Sequence, residues 1–324
     1  GSGPAPSKGW STYARWLQKR PILPAIGAIG LIVLLAIPAF SLRQGFTDNS
    51  GRPEGSPARI AYDLRAEGFG PGASAPYLVV VDLSAATDPN AYAQIVTTLN
   101  ETPGVAGTNP SPETLPVIAK IAQAAPQEAA NPIQVMAVYA TTPPQDAATS
   151  ELLTTLREDV NPALEQATGA TILVGGTAAI TADFTTVLAD ALPIFLLVVV
   201  GLGFLALVVL FRSLLVPFIG AITSMFSLAA AMGISVAIFQ WGWFNSILGV
   251  PGTGPIQPFI PIMVFAILFG LSMDYQVFLV SRMQEEWSKT KDNAESIRSG
   301  LRNSGRVVVI AALIMAVVFG AFVP

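Results

Sequence analysis

The sequence predicts an α-helical transmembrane bundle of five spans, with an inserted α+β, ferredoxin-like (βαββαβ) domain on the extracytoplasmic side. Three observations predict it. The chain of 324 residues is 52% hydrophobic and only 12% charged, whereas soluble domains carry about 25% charged residues, and its mean hydropathy is +0.57. Five stretches are long and apolar enough to cross a hydrocarbon core of about 30 Å at about 1.5 Å per residue. Between the first and second of them lies a long polar segment with strand and helix patterns of its own.

The spans are Pro21–Phe40, Ala191–Phe211, Leu214–Phe239, Phe259–Val280 and Val307–Val323. The first follows a polar lead (residues 1–20) and has no Ala-x-Ala cleavage site after it, so it reads as a signal anchor. Eleven of the seventeen Lys and Arg residues lie in the lead, at Arg212, or in 282–306, and the loop Gln240–Pro258 has none. Positive charge is retained on the cytoplasmic side. The lead and the amphipathic helix predicted over 282–306 are therefore cytoplasmic, residues 41–190 lie outside, spans two to four occupy 191–281, and 307–324 holds the fifth. Trp10, Trp16, Trp241, Trp243 and Trp287 fall near span ends, as interfacial aromatics do.

The outside segment carries sixteen acidic and six basic residues. Its first helix, in "ARIAYDLRAEGFGPG", ends at glycines. "PYLVVVDL" (Pro76–Leu83) is a strand, and Asp88-Pro89 supplies an N-cap and first turn for a helix over "NAYAQIVTTLNE". "GVAGTNP" is a weak strand, Ser111–Gln127 a helical insertion, and "PIQVMAVYAT" (Pro132–Thr141) a stronger strand. "DAATSELLTTLREDVNPALEQA" is a helix interrupted near Pro162, and "TILVGG" (Thr171–Gly176) a final strand. The order is β-α-β-β-α-β. No turn signal separates "TAAITADF" from the second span, so helix is expected to run between them up to Pro193.

With no cysteine and no histidine, the chain has no thiolate or imidazole metal site, no Cys nucleophile and no Ser-His pair. No phosphate-binding loop is present, and no metal or cofactor is expected. An acidic outer segment and a pI near 4.9 argue against nucleic acid as a partner.

Asp274 is the one formal charge inside any of the five spans. A charge near the middle of a transmembrane helix costs about 2.5–3.5 kcal/mol on the insertion scale. It lies eight residues, roughly 12 Å, from Arg282, too deep for a short side chain to reach water. Desolvation of a carboxylate favours its protonated form, the property a proton carrier needs. The competing role is a structural one, a hydrogen bond to a neighbouring helix. Leu271, Asp274, Val277 and Phe278 share a face, Gly270, Ser272 and Ser281 permit close helix contact, and Tyr275 is rotated about 100° away.

"FGLSMDYQVFLVSRMQEEW", together with "LFRSLLVP", "FQWGW", "GPIQPFIPIMVFAILFG" and "EGFGPG", resembles the MMPL family of the resistance-nodulation-division (RND) superfamily, and in particular the C-terminal half of an actinobacterial member. The resemblance covers essentially the whole chain. It implies a proton-driven exporter of lipids or other hydrophobic compounds to the envelope, seated in the bacterial plasma membrane, with 41–190 as a porter domain. It implies that Asp274 and Tyr275 belong to a proton relay cross-paired with an Asp-Tyr pair in the other half, and that Phe278 and Leu271 line the central pocket. Substrate, protons, the N-terminal half and accessory envelope proteins are the implied partners. The family half has six spans, so the chain is expected to be a fragment or part of a split protein, its leading "GSGPAPSKG" an inter-half linker or an artificial leader.

One charge moving through 100 mV releases about 2.3 kcal/mol, against about 0.8 kcal/mol for each lipid CH₂, so one proton offsets about three methylenes. A lipid tail must then stay against protein, in a groove expected near Phe239–Val250, Ser41–Phe46 and Gly176–Phe184. Tyr77, Tyr139 and Phe184 could line it or serve as domain core. Two other classes compete. A non-transporting lipid sensor or scaffold has no need of a buried titratable pair, and a membrane enzyme needs a nucleophile–base or metal set that this sequence does not display.

Overall fold

The computed structural model describes residues 12, 16–124 and 132–321. In chain order the helices are α1 Ile22–Ala36, α2 Pro57–Phe69, α3 Ala91–Glu101, α4 Leu115–Ala124, α5 Ala147–Thr155, α6 Asn161–Thr168, α7 Thr177–Phe211, α8 Leu215–Phe239, α9 Asn245–Leu248, α10 Ile260–Thr290 and α11 Asn293–Gly320. The strands are β1 Tyr77–Asp82, β2 Val105–Asn109, β3 Ile133–Ala140 and β4 Thr171–Gly175. The chain divides into a helical unit (Gly1–Leu42, Leu192–Val236, Phe259–Pro324) and an α/β unit (Arg43–Ala191, Ala237–Pro258). The expectations for Lys8, Trp10, Arg15 and Val323 lie outside the described residues.

Among the described residues, five helices are long and apolar enough to cross a membrane: Ile22–Ser41, which includes a 3₁₀ turn after α1, then α7, α8, α10 and α11. Helix α7 runs unbroken for 35 residues through Pro193. The predicted separate helix over 282–306 is instead the end of α10 and the start of α11. Lys291, with φ +57°, turns the chain, and the Asp292 carboxylate accepts from the Ala294 and Glu295 N–H groups to cap α11. Each of those helices continues the amphipathic pattern, so periodicity alone did not reveal the turn.

Glycines set the packing of the helical unit. A Cβ on Gly233 of α8 would stand 1.9 Å from the Leu35 carbonyl oxygen of α1. Backbone here meets backbone, which only glycine permits. On Gly203 of α7, a Cβ would lie 2.7 Å from both Phe269 Cζ and Met273 Cε of α10. Phe265 and Phe269 join Leu228 and Met232 in a small core, with Phe195 edge-on to Phe265 at 5.9 Å.

The α/β unit is a four-stranded antiparallel sheet in the order β2-β3-β1-β4. Alternation in β1 buries Tyr77, Val79 and Val81, which pack with Met136 and Val138 of β3 against Ile95 and Leu99 of α3 and Leu152 and Leu156 beyond it. Asp88 does not cap α3. Its carboxylate accepts from Asn90 N–H at 2.8 Å and the helix begins after Asn90, because the Asx turn completes before the helix opens. The interruption near Pro162 is a π turn over Leu156–Val160 that joins α5 to α6. Proline has no N–H for the helical ladder, and widening the turn before it keeps the axis continuous.

Gly233→Ala is expected to destabilise the detergent-solubilised protein by about 1–3 kcal/mol, since a carbonyl cannot yield as a side chain can. Gly30→Ala, with nothing within 4 Å of its added Cβ, should be neutral or slightly stabilising. Thermal unfolding of the two variants side by side checks both.

Candidate functional site

The four site residues anticipated from sequence lie on α10. Leu271, Asp274 and Phe278 share one face by their spacing, and Tyr275 is about 100° away. Asp274 is exposed and the other three are half-buried. Among the described residues, the Asp274 carboxylate and the Tyr275 phenol have no hydrogen-bond or ion-pair partner. Arg282 lies over the Phe278 ring at 5.8 Å, a cation–π contact. The structure thus brings Leu271, Asp274 and Phe278 to one side of one helix, where Asp274 is exposed between two half-buried apolar neighbours.

The opposite side of α10 is the one that packs. Phe269 and Met273 seat against Gly203, Gln276 against Gly220 of α8, and Met283 against Gly300 of α11. Gln276 Nε2 also donates to the Val216 carbonyl at 3.3 Å. Gln276 was not anticipated, although an amide in a largely apolar span is a signal visible in the sequence.

A second candidate is a cleft of about 770 Å³ inside the α/β unit. Arg43–Phe46 forms one lip, the start of α7 from Ala178 to Val187 another, and α5 with its π turn a third. The first lip is held by a short parallel bridge from Gln44 to Ile256. The Gln240 amide, which accepts from Arg43 N–H at 3.2 Å and donates to the Arg43 carbonyl at 2.6 Å, secures it further. Arg157, carried by the π turn, donates to both Asp183 carboxylate oxygens at 2.5 and 3.0 Å and to the Val174 carbonyl at 2.9 Å. Asp146, Glu151, Glu158 and Asp183 line the cleft together with Arg43 and Arg157, so carboxylates outnumber guanidiniums.

Tyr77 serves both as core and as lining. It is 2% exposed, and its phenol donates to the Thr149 carbonyl at 2.7 Å. Burial pushes the phenol up to about 12 from 10.0, with Arg157 acting slightly in the other direction. Phe184 is 47% exposed and its ring sits 5.8 Å from that of Phe46. Tyr139 is half-buried on β3, away from the cleft lining. The Arg157–Asp183 pair escaped the sequence analysis because nothing local links residues 26 apart.

The model of the MMPL family matches residues 51–324. The chain belongs to the MMPL family. It is 36% identical over 313 residues to the membrane protein YdfJ of Bacillus subtilis strain 168, covering 97% of this chain and 41% of that one. It is 31% identical over 327 residues to the mycolic acid-containing lipids exporter MmpL11 of Mycolicibacterium smegmatis, covering 98% of this chain and 32% of that one. With the trehalose monomycolate exporter MmpL3 of Mycobacterium tuberculosis (strain CDC 1551 / Oshkosh), identity is 30% over 315 residues, with 97% and 32% covered. The chain therefore spans about a third to two-fifths of the length of these curated MMPL relatives. Five apolar helices and this kinship make it a multi-pass protein of the bacterial cell membrane.

In this MMPL chain, Tyr77→Phe should lower the unfolding midpoint at neutral pH, since it removes the buried hydrogen bond from the phenol to the Thr149 carbonyl, at a cost of about 0.5–1.5 kcal/mol. A phenol whose folded value lies above its unfolded one contributes stability that is complete below pH 10 and is lost as pH rises toward 12. The gap between wild type and Tyr77→Phe should accordingly narrow above pH 10. Tyr62, also pushed up to about 12 by burial and the neighbouring Asp48, leaves a residual decline in both proteins, and thermal unfolding across that pH range reads the difference.

Proposed function

We propose that this chain is part of a proton-driven exporter of lipids or other hydrophobic compounds to the cell envelope. In it, Asp274 and Tyr275 form one half of an intramembrane relay completed elsewhere in the full-length protein. The observation that carries this reading is the exposed carboxylate of Asp274 on a 31-residue helix apolar enough to cross a membrane, turned away from the side chains by which that helix seats against neighbouring glycines. An ionisable group at such a position is expected to move charge or protons. The names of the MmpL3 and MmpL11 relatives, exporters of trehalose monomycolate and of mycolic acid-containing lipids, support a lipid as cargo.

The α/β unit is in this proposal a ferredoxin-like porter domain outside the cytoplasm. Its strand order supports that: β3 lies between β1 and β2 and is antiparallel to both, and β1 lies between β3 and β4 in the same way, as in a split βαβ arrangement. The cleft there has a place for part of an amphiphile, with Phe46 and Tyr77 supplying apolar and aromatic surface and the Arg157–Asp183 pair a polar wall. Basic residues in 282–306 support a cytoplasmic position for the α10–α11 turn.

In full-length protein reconstituted into vesicles with an imposed proton gradient, Asp274→Asn should abolish gradient-dependent lipid transport while membrane insertion is unchanged. Tyr275→Phe should lower it several-fold by removing a phenol donor. Transport that survives Asp274→Asn intact would sink the relay role and leave the sensor or scaffold class standing.

A further inference from the structure

We propose that Gln276 is a positioning residue, one that fixes the rotation of α10 about its own axis and so the direction in which Asp274 and Tyr275 point. It rests on the relay role just proposed for that pair, and it stands on separate geometry.

The Gln276 amide reaches α8 and donates to the Val216 carbonyl at 3.3 Å. That carbonyl lies one helical turn before Gly220, whose N–H is its partner in the regular ladder. A carbonyl has a second lone pair, and a side chain can use it only if nothing covers it. Gly220 leaves it bare. A Cβ there would stand 2.2 Å from Gln276 Nε2, 2.3 Å from Oε1 and 2.6 Å from Cδ, so the amide occupies the volume that any other residue would fill.

Gln276 belongs to a stripe. Phe269, Met273, Gln276 and Met283, spaced four, three and seven apart, each fill the space beside a glycine of α7, α8 or α11. At about 100° per residue they fall within roughly 80° of one another. Measured from Phe269, Asp274 lies at about 140°, Phe278 at about 180°, Leu271 at about 200° and Tyr275 at about 240° on the same wheel. The site residues occupy the reverse of the keyed face.

Three of the four keys are apolar, and two of them are methionines, which re-seat after a small rotation at little cost. Gln276 alone makes a directional bond. Turning α10 by one residue would leave an amide unsatisfied in an apolar setting, and a single polar side chain in an otherwise apolar helix seam specifies register in this way. Charged groups on the packed elements do not compete for this role. Among the described residues no ion pair joins Asp274 to Arg212 after α7 or to Arg298, Arg302 or Arg306 of α11, and Arg298 pairs with Glu295 of its own helix.

The test compares Gln276→Met, which keeps the volume and removes the donor, with wild type in the full-length protein. Single cysteines are introduced in a cysteine-free background by Val277→Cys and Leu271→Cys, positions that flank Asp274 by about 60° on either side. Rates of modification by a thiol reagent are measured for each, and the pH profile of gradient-driven lipid transport is measured without the cysteines. A positioning role predicts that Gln276→Met changes the ratio of the two labelling rates at least threefold and displaces the pH profile, with thermal stability and insertion unchanged. An unaltered labelling ratio overturns the inference, whatever transport does. If the ratio moves while Asp274→Asn leaves transport intact, Gln276 positions the helix and the relay reading is what fails.

Discussion

A helix in hydrocarbon already has its backbone hydrogen-bonded and has no apolar surface to hide from lipid, so the hydrophobic effect does not gather such helices together. The helical unit depends on shape instead, and the shape is supplied by missing side chains. Gly233 lets α8 meet the backbone of α1, and Gly203, Gly220 and Gly300 receive side chains of α10. Close approach lets many weak dispersion contacts accumulate, and it fixes which side of α10 is spoken for. The exposure of Asp274 is thus a by-product of where the glycines are.

The α/β unit is assembled on the opposite principle. Burial of Tyr77, Val79, Val81, Ile95, Leu99, Met136 and Val138 supplies its cohesion. Two polar side chains there find partners across elements: Tyr77 donates to the Thr149 carbonyl, and Arg157 to Asp183 and the Val174 carbonyl. The Arg157–Asp183 pair is part-exposed and contributes little to stability by its charges alone. Its planar, two-pronged geometry holds the β4 end, the π turn and the start of α7 in a common arrangement around the cleft.

Much of this architecture was legible in the sequence, and what escaped has a common cause. The spans were visible because a run of about twenty apolar residues suits a hydrocarbon core and little else, and the strands because β-branched runs bounded by turns do not suit helices. Asp274 was visible for the same reason, as a charge where none is tolerated without purpose. The glycine seats were not. Gly27 and Gly30 sit in an apolar helix with nothing within 4 Å of an added Cβ, while Gly203, Gly220 and Gly233 each meet a neighbour well inside contact distance, and one letter stands for both situations. Pro162 announced an interruption without saying whether the helix would break, kink or widen. The end of α10 and the start of α11 merged into one amphipathic pattern because the turn at Lys291 spans so few residues.

The widened turn at Leu156–Val160 has a geometric consequence of its own. Relative to an uninterrupted α-helix, a π turn accommodates extra backbone per revolution, so every side chain beyond it falls behind in phase around the axis. Arg157 and Glu158, two of the charges lining the cleft, sit within that turn, and Asn161 and Leu164 beyond it are buried. The cleft's charged wall and the core beneath α6 therefore belong to two different angular phases of what the chain traces as one rod. A more regular helix could satisfy one of them and not both.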